Sequence, residues 1–269
     1  FVMEADHAVE RVQNALRNNG FEENTLVLFS SDHGAASYAG NIRKATVNQI
    51  KLLEKKGHYS SGPYRGYKFS VYEGGLRVPL IAKWPGVSPA GTTCDRLVGL
   101  NDLFATLAEA AGHKLPRGAA PDSVSFLSLL KKPGGKATRT TLVMQSTGPM
   151  VIRENNWKLC LCPGSGSNGP FAAETKSEPA WKKALAAYGK KPRNHDELLR
   201  PPFVQLYDLA ADPGERNNLA AGNPETVQRL IGLLKEQIAS GRSTPGPKRK
   251  NGRDKIHAMQ RVPQFVWKK

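Results

Sequence analysis

The chain has 269 residues, 39% of them hydrophobic, and carries 39 basic against 23 acidic side chains for a net charge of +16. That length suits one large domain or two smaller ones. Its uncharged apolar runs, such as residues 78–82, fall far short of the ~20 residues a membrane-spanning helix needs, and three cysteines are an odd count that excludes a complete disulfide framework.

The positive charge favours polyanionic partners such as sulfated glycans, nucleic acid or anionic lipid. No helix-turn-helix pattern, RNA-binding aromatic motif or zinc finger accompanies it. The expected partners are therefore neither nucleic acid nor a membrane. Residues 1–10 carry acids and lack the apolar core of a signal peptide. The first residue is Phe rather than Met, which leads us to expect a processed, trimmed or cloned piece.

Ala5, Val9, Val12 and Leu16 recur at helical spacing and predict a helix over 4–19, closed by Gly20. The run Thr25-Leu-Val-Leu-Phe-Ser-Ser-Asp32-His33-Gly34 follows. Leu26 to Phe29 predicts a buried strand of an α/β sheet, and ligands gather beyond the carboxyl ends of such strands. Asp32 and His33 sit at that point, and Gly34 permits a sharp turn. A carboxylate and an imidazole converging at a bend suit a cation; a polar turn with Asp32 bonding its own backbone accounts for the same four residues.

A helix is expected around 44–56, then a glycine-rich, aromatic loop over 57–75 that is too long for an idle connector. Residues 79–84 predict another strand. Leu103, Phe104, Leu107 and Ala111 give the apolar stripe of a helix over 101–111, capped by Asn101 or Asp102. A Pro/Gly/Ala-rich linker over 114–122 and a short helix near 123–131 follow.

After Lys136 the pattern changes. Residues 140–145, 150–153, 157–161 and 204–209 predict an antiparallel meander, interrupted by a lysine-rich surface excursion over 163–202. Cys160 and Cys162 alternate on one strand as buried free thiols. The last helix begins at Asn223, its N-cap, with Pro224 first inside, and buries Val227, Leu230, Ile231, Leu234 and Ile238. Beyond Gly241 nine basic residues stand against Asp254. This predicts a solvated arm whose end is pinned by Phe265 and Trp267.

Six segments, taken in order, resemble the C-terminal half of a type I sulfatase, the arylsulfatase-like branch of the alkaline-phosphatase superfamily. They are residues 23–34, the Ser61-Gly-Pro-Tyr-Arg-Gly-Tyr-Lys68 run, Tyr72-Glu-Gly-Gly-Leu-Arg-Val-Pro79, Lys83-Trp-Pro-Gly86, the Asn101-Asp102-Leu103 helix start, and the 206–219 stretch containing Asp212-Pro-Gly-Glu-Arg-Asn217. The likeness runs from residue 1 to about 245. It implies an α/β fold: part of an alkaline-phosphatase-like central sheet flanked by helices, plus a small C-terminal antiparallel sheet with a packed helix. The expected division is 1–135 for the C-terminal part of the catalytic domain, 136–245 for a small α+β subdomain and 246–269 for a basic tail.

The resemblance also implies roles. Asp32 and His33 match a pair that helps hold a divalent cation, usually Ca2+. Lys68 matches the lysine that contacts the sulfate, where an ammonium and a metal stabilise charge on the ester oxygens. Glu73, Gly74, Gly75 and Arg77 are expected to shape the loop, and His58 lies within the same loop as a candidate substrate contact. The implied activity is a formylglycine-dependent sulfuric ester hydrolase acting on a sulfated carbohydrate, exported to the periplasm or secreted. The other readings are a phosphate or phosphonate ester hydrolase of the same superfamily, and a non-catalytic polyanion-binding fragment.

The family's formylglycine arises from Cys or Ser in a Cys/Ser-x-Pro-x-Arg motif, and no such motif occurs here; nor does an early pair of adjacent aspartates. This chain alone is expected to be inactive, with the formylglycine in a missing N-terminal half. Such a piece would expose a buried sheet edge. It is expected to travel with its missing half, or as an oligomer that covers the edge. Size-exclusion chromatography with light scattering should therefore show a complex, and a well-behaved monomer of 29.3 kDa would overturn that expectation.

Overall fold

The structure, a computed structural model, describes residues 2–36, 49–167, 177–253 and 255–267. It opens with helix α1 (Val2–Asn18), closed by Gly20 at φ +73°. The apolar stripe was legible, yet α1 buries no residue and Val12 is 53% exposed. A single 3-10 turn leads to β1 (Val27–Ser30).

Helix α2 (Gln49–Lys55) realises the second half of the helix expected at 44–56; residues 44–48 lie outside the described residues. The short α3 (Glu73–Leu76) closes the glycine-rich loop, and β2 (Leu80–Lys83) follows. β1 and β2 pair antiparallel, with Val27 opposite Lys83 and Ser30 opposite Leu80. The expectation of a buried strand at 26–29 is corrected: all four β1 residues are half-buried, because β1 has β2 as its one partner among the described residues and α1 barely packs on it.

Helix α4 (Leu103–Ala110) and α5 (Leu127–Lys131) pack together. The expected stripe on α4 is also corrected. Phe104 and Leu107 are 60% and 46% exposed, whereas Ala105 and Thr106 are buried. The hydroxyl of Ser123, bonded to the Ala105 amide at 3.0 Å, and the Thr106 hydroxyl, which accepts the Phe126 amide at 3.0 Å, draw that face toward the linker. Asp102 does not cap α4. Its buried carboxylate accepts the amides of Gly99 (2.9 Å) and Val124 (2.8 Å) and pairs with the buried Arg139. Arg139 also donates to the carbonyls of Asp122 (2.9 Å) and Thr141 (3.1 Å), stapling the first half of the chain to the sheet that follows.

That sheet is a four-stranded antiparallel meander: β3 (Thr141–Gln145), β4 (Met150–Glu154), β5 (Trp157–Cys160) and, after a long excursion, β6 (Gln205–Asp208). Its strands sit where alternation placed them. Within the excursion lies α6 (Ser177–Tyr188), and 168–176 lie outside the described residues.

The excursion is no surface loop. Trp181, Ala184, Leu198 and Leu199 are buried in the main core, and Trp181 stacks on Phe203 at 6.1 Å. Lysines on the outer side masked this apolar face in composition. Helix α7 (Pro224–Ser240) covers the meander with Val227, Leu230, Ile231 and Leu234, and ends at Gly241 in the left-handed region. The Asn223 side chain does not cap it, since its Nδ2 donates to the Leu219 carbonyl at 2.9 Å.

The basic tail folds back rather than floating. Met259 and Val266 are buried in the same core, and the short α8 (Gln264–Trp267) brings Trp267 to 5.3 Å from His195. Cys160 and Cys162 are buried free thiols, as their alternation predicts.

Glu197 anchors the excursion. The Arg193 amide (3.0 Å) and guanidinium (2.7 Å) hold its carboxyl down at about 2, against an ordinary 4.5, with burial opposing and the Tyr188 hydroxyl (3.1 Å) assisting. A depressed carboxyl contributes stability above its ordinary value and loses it as pH falls through the folded one. The melting-temperature gap between wild type and Glu197→Gln should therefore be widest above pH 4.5 and close as pH approaches 2. A pH-independent gap would show that the carboxylate does not act through its charge.

Candidate functional site

At the end of β1 the chain bends under the control of small groups. The Ser30 hydroxyl donates to the Pro79 carbonyl (2.8 Å) and the Ser31 hydroxyl to the His33 carbonyl (2.9 Å). This turn presents Asp32 with its side chain 81% exposed and His33 at 32%. His33 Nδ1 lies 2.9 Å from the Gly34 carbonyl. A carbonyl only accepts, so that nitrogen carries the hydrogen. Nε2 then faces Asp32 Oδ2 at 3.0 Å. An imidazole nitrogen and a carboxylate oxygen thus meet at the end of β1.

The glycine-rich loop closes against this turn. The Gly34 amide donates to the Gly75 carbonyl (3.1 Å) and the Lys68 amide to the Ala35 carbonyl (2.9 Å). A Cβ on Gly34 would sit 1.8 Å from the Gly74 carbonyl oxygen, and one on Gly74 would sit 2.2 Å from that of Gly66. Only backbones without side chains can nest so closely. Asp32, His33 and Lys68 are thereby carried on two hydrogen-bonded segments.

Lys68 is half-buried, with its ammonium 5.2 Å from the Phe69 ring centre. Phe69 itself holds φ +78°, a conformation that costs about 1–3 kcal/mol outside glycine and that clusters at ligand-binding loops. The Ser146 hydroxyl (2.6 Å, to the Phe69 carbonyl) and the Val71 amide (2.9 Å, to the Ser165 carbonyl) brace it. His58 lies elsewhere on the loop: it is exposed, at the end of α2, with its amide bonded to the Leu53 carbonyl at 2.9 Å.

The support beneath the loop was not read from the sequence. Glu73 and Glu215 are buried and grip the fully buried ammonium of Lys158 at 2.9 and 2.8 Å. Glu73 is also reached by Arg153 at 3.6 Å and by Arg77 at 4.0 Å. Glu215, at φ +52°, also accepts the Glu73 amide, and its carbonyl accepts Arg65 at 2.9 Å. Burial opposes charge on Glu73 and Lys158. Even so, Lys158 lowers the Glu73 carboxyl, and Glu73 with Glu215 raises the Lys158 ammonium. For Glu215, burial prevails and its carboxyl rises. The available signal was Lys158 itself, a cation inside β5 between Trp157 and Leu159, where only a buried counter-charge makes the position tolerable.

Two groups implied by the resemblance can be tested against these residues. Asp32 and His33 are an oxygen and a nitrogen donor, types that a divalent cation accepts, and in this structure they contact each other directly. Among the described residues no group of three or more such ligands occurs. Formylglycine does not fit. None of Cys94, Cys160 and Cys162 has Pro two places on and Arg two further, and burial pushes both Cys160 and Cys162 thiols up.

Residues 1–113 match the family model Sulfatase. The chain is 33% identical to an N-acetylgalactosamine-6-O-sulfatase of Bacteroides thetaiotaomicron, over 87% of this chain and 40% of that protein. It is 32% identical to human arylsulfatase A, over 88% of this chain and 43% of that one. The chain thus spans about 40% of the length of the curated relatives it matches. Among solved structures, a chain from work on glycosaminoglycan metabolism by B. thetaiotaomicron aligns over 87% of this chain and 43% of its own, with a TM-score of 0.66 and 29% identity. A chain solved with D-glucosamine-2-N,6-O-disulfate aligns at TM-score 0.55 over 88% of this chain and 38% of its own; at 20% identity it speaks for the fold alone. These neighbours agree with the α/β, alkaline-phosphatase-like fold.

Removing the ammonium beneath the loop leaves two carboxylates buried together, and breaking a buried pair costs about 3–5 kcal/mol. Lys158→Met should lose stability of that order in urea unfolding, and adding Glu73→Gln and Glu215→Gln should restore much of it. Wild-type stability in Lys158→Met would mean that these ion pairs do not hold the loop.

Proposed function

The chain belongs to the sulfatase family, and from that premise we propose that it forms part of a sulfuric ester hydrolase acting on a sulfated carbohydrate. The observation that carries the reading is the backbone pairing of the Asp32–His33 turn with the Lys68 loop. It supports the reading by joining the segment that carries Asp32 and His33 to the one that carries Lys68, and a sulfate ester calls for a cation and an ammonium together.

In this reading the Lys68 ammonium contacts the sulfate oxygens, and its charge becomes worth more as negative charge builds on them in the transition state. Asp32 and His33 contribute to a divalent cation, which when bound supplies Lewis-acid stabilisation of the same oxygens. We take the cation as Ca2+. The exposed Asp32 carboxylate suits a hard ion, and the remaining oxygens come from outside the described residues. Glu73, Gly74, Gly75 and Arg77 shape the loop. His58 is retained as a peripheral substrate contact.

The proposal extends to the organisation of the chain: 1–135 as catalytic-domain sequence, 136–245 as the small subdomain and 246–269 as a basic tail. The nucleophile comes from outside these residues, so the chain by itself does not turn over. Among the described residues no helix is long and apolar enough to cross a membrane, and an exported location, periplasmic or secreted, is part of the same reading.

Lys68→Ala, in a polypeptide that includes the formylglycine motif, should lower kcat/KM on nitrophenyl sulfate by roughly 100-fold or more. Asp32→Asn should raise the Ca2+ concentration needed for activity. Unchanged kcat/KM in Lys68→Ala would overturn the assignment. A faster rate on nitrophenyl phosphate than on the sulfate would favour the phosphoesterase reading instead.

A further inference from the structure

The front of the Lys68 loop walls a cavity of about 610 Å3 that the reading above leaves unused. Its lining includes Tyr59, Tyr64, Arg65 and Tyr67 from the loop, Glu54 from α2, and Arg216 from the turn after Gly214. That volume is within the range of sites for ligands larger than one small ring.

The wall residues divide into those already engaged and those available. Arg65 is held by the Glu215 carbonyl and lies 4.0 Å from the Tyr72 ring centre. Tyr64 is covered on one side by Arg77 at 4.7 Å. Tyr59, by contrast, is 60% exposed. Arg216 is exposed, and among the described residues its guanidinium makes no ion pair; its backbone amide is the part fixed, on Asp212 at 2.7 Å.

An open aromatic face stacks on the apolar face of a pyranose ring, and a free guanidinium forks onto a sulfate or carboxylate. Tyr67 lines the cavity and Lys68 is the next residue, so the cavity and the ammonium are consecutive on one strained loop.

We propose that this cleft is a binding site for a further unit of an anionic oligosaccharide, with Tyr59 stacking on a sugar ring and Arg216 taking a second sulfate or carboxylate. It rests on the sulfated-carbohydrate reading of Lys68 and extends it: the substrate is a chain of several sugars bearing more than one negative group. The favoured ligand is a glycan rather than a nucleic acid because Tyr67, in the cleft wall, directly precedes Lys68, the candidate sulfate contact.

The test is calorimetric titration of the full 269-residue chain, at about 0.15 M salt to screen the tail. The probes are a chondroitin sulfate tetrasaccharide, its desulfated counterpart, inorganic sulfate, and a single-stranded oligonucleotide of matched charge. Tyr59→Ala and Arg216→Ala, both at exposed positions, should each weaken the sulfated tetrasaccharide about tenfold, the equivalent of one lost contact, and leave inorganic sulfate unchanged. Tyr59→Trp should restore binding.

Wild-type affinity in both variants, or equal binding of the oligonucleotide, would overturn the proposal in favour of unspecific attraction to the +16 charge. Lys68→Ala separates the two readings. If it leaves inorganic sulfate binding intact while the cleft variants still lose the tetrasaccharide, the cleft stands and the Lys68 assignment falls.

Discussion

The ammonium of Lys158, held without solvent between Glu73 and Glu215, is the contact on which the candidate site depends. It joins three segments distant in sequence: the start of α3, the middle of β5, and the turn after β6. Each alone is poorly suited to its place. A lysine in a buried strand and two glutamates in a core are all costly, and only their mutual arrangement makes the set tolerable. The glycine-rich loop therefore rests on charge pairing rather than on apolar packing alone.

The loop in turn sets the strand end. Gly34, Gly74 and Gly75 are required because two backbones meet there at hydrogen-bond distance and leave no room for a Cβ. Phe69, held at positive φ immediately after Lys68, is kept in place by Ser146 and the Val71 amide. Support from the meander thus reaches the turn that carries Asp32 and His33 through the loop.

Much of this was legible in the sequence, and the reasons for success and failure are physical. The meander and α7 were readable because their periods of two and 3.6 match faces that are buried within the chain itself. The helix α1 was likewise legible; burial was not for β1 and for Phe104 and Leu107 on α4, where the apolar pattern is real but the described residues supply little to cover it. The excursion containing Trp181 failed the other way, since its lysines outweighed a few apolar residues that pack well. Asp32 and His33 stood out as polar residues at a strand end, and Lys68 was found by resemblance. Their shared bracing by Lys158 was not, because charge pairing across long sequence separations leaves no local signature.

The two backbone hydrogen bonds between the Asp32–His33 turn and the Lys68 loop have a thermodynamic consequence. Ordering one segment reduces the conformational freedom left to the other, so ligands that settle on each are linked through the same small set of torsions. Linkage is reciprocal. In the proposed reading, a cation that fixes the turn would raise the affinity of an anion for the loop by the same factor as the anion raises the affinity of the cation, and the two would bind as a cooperative pair even where they never touch.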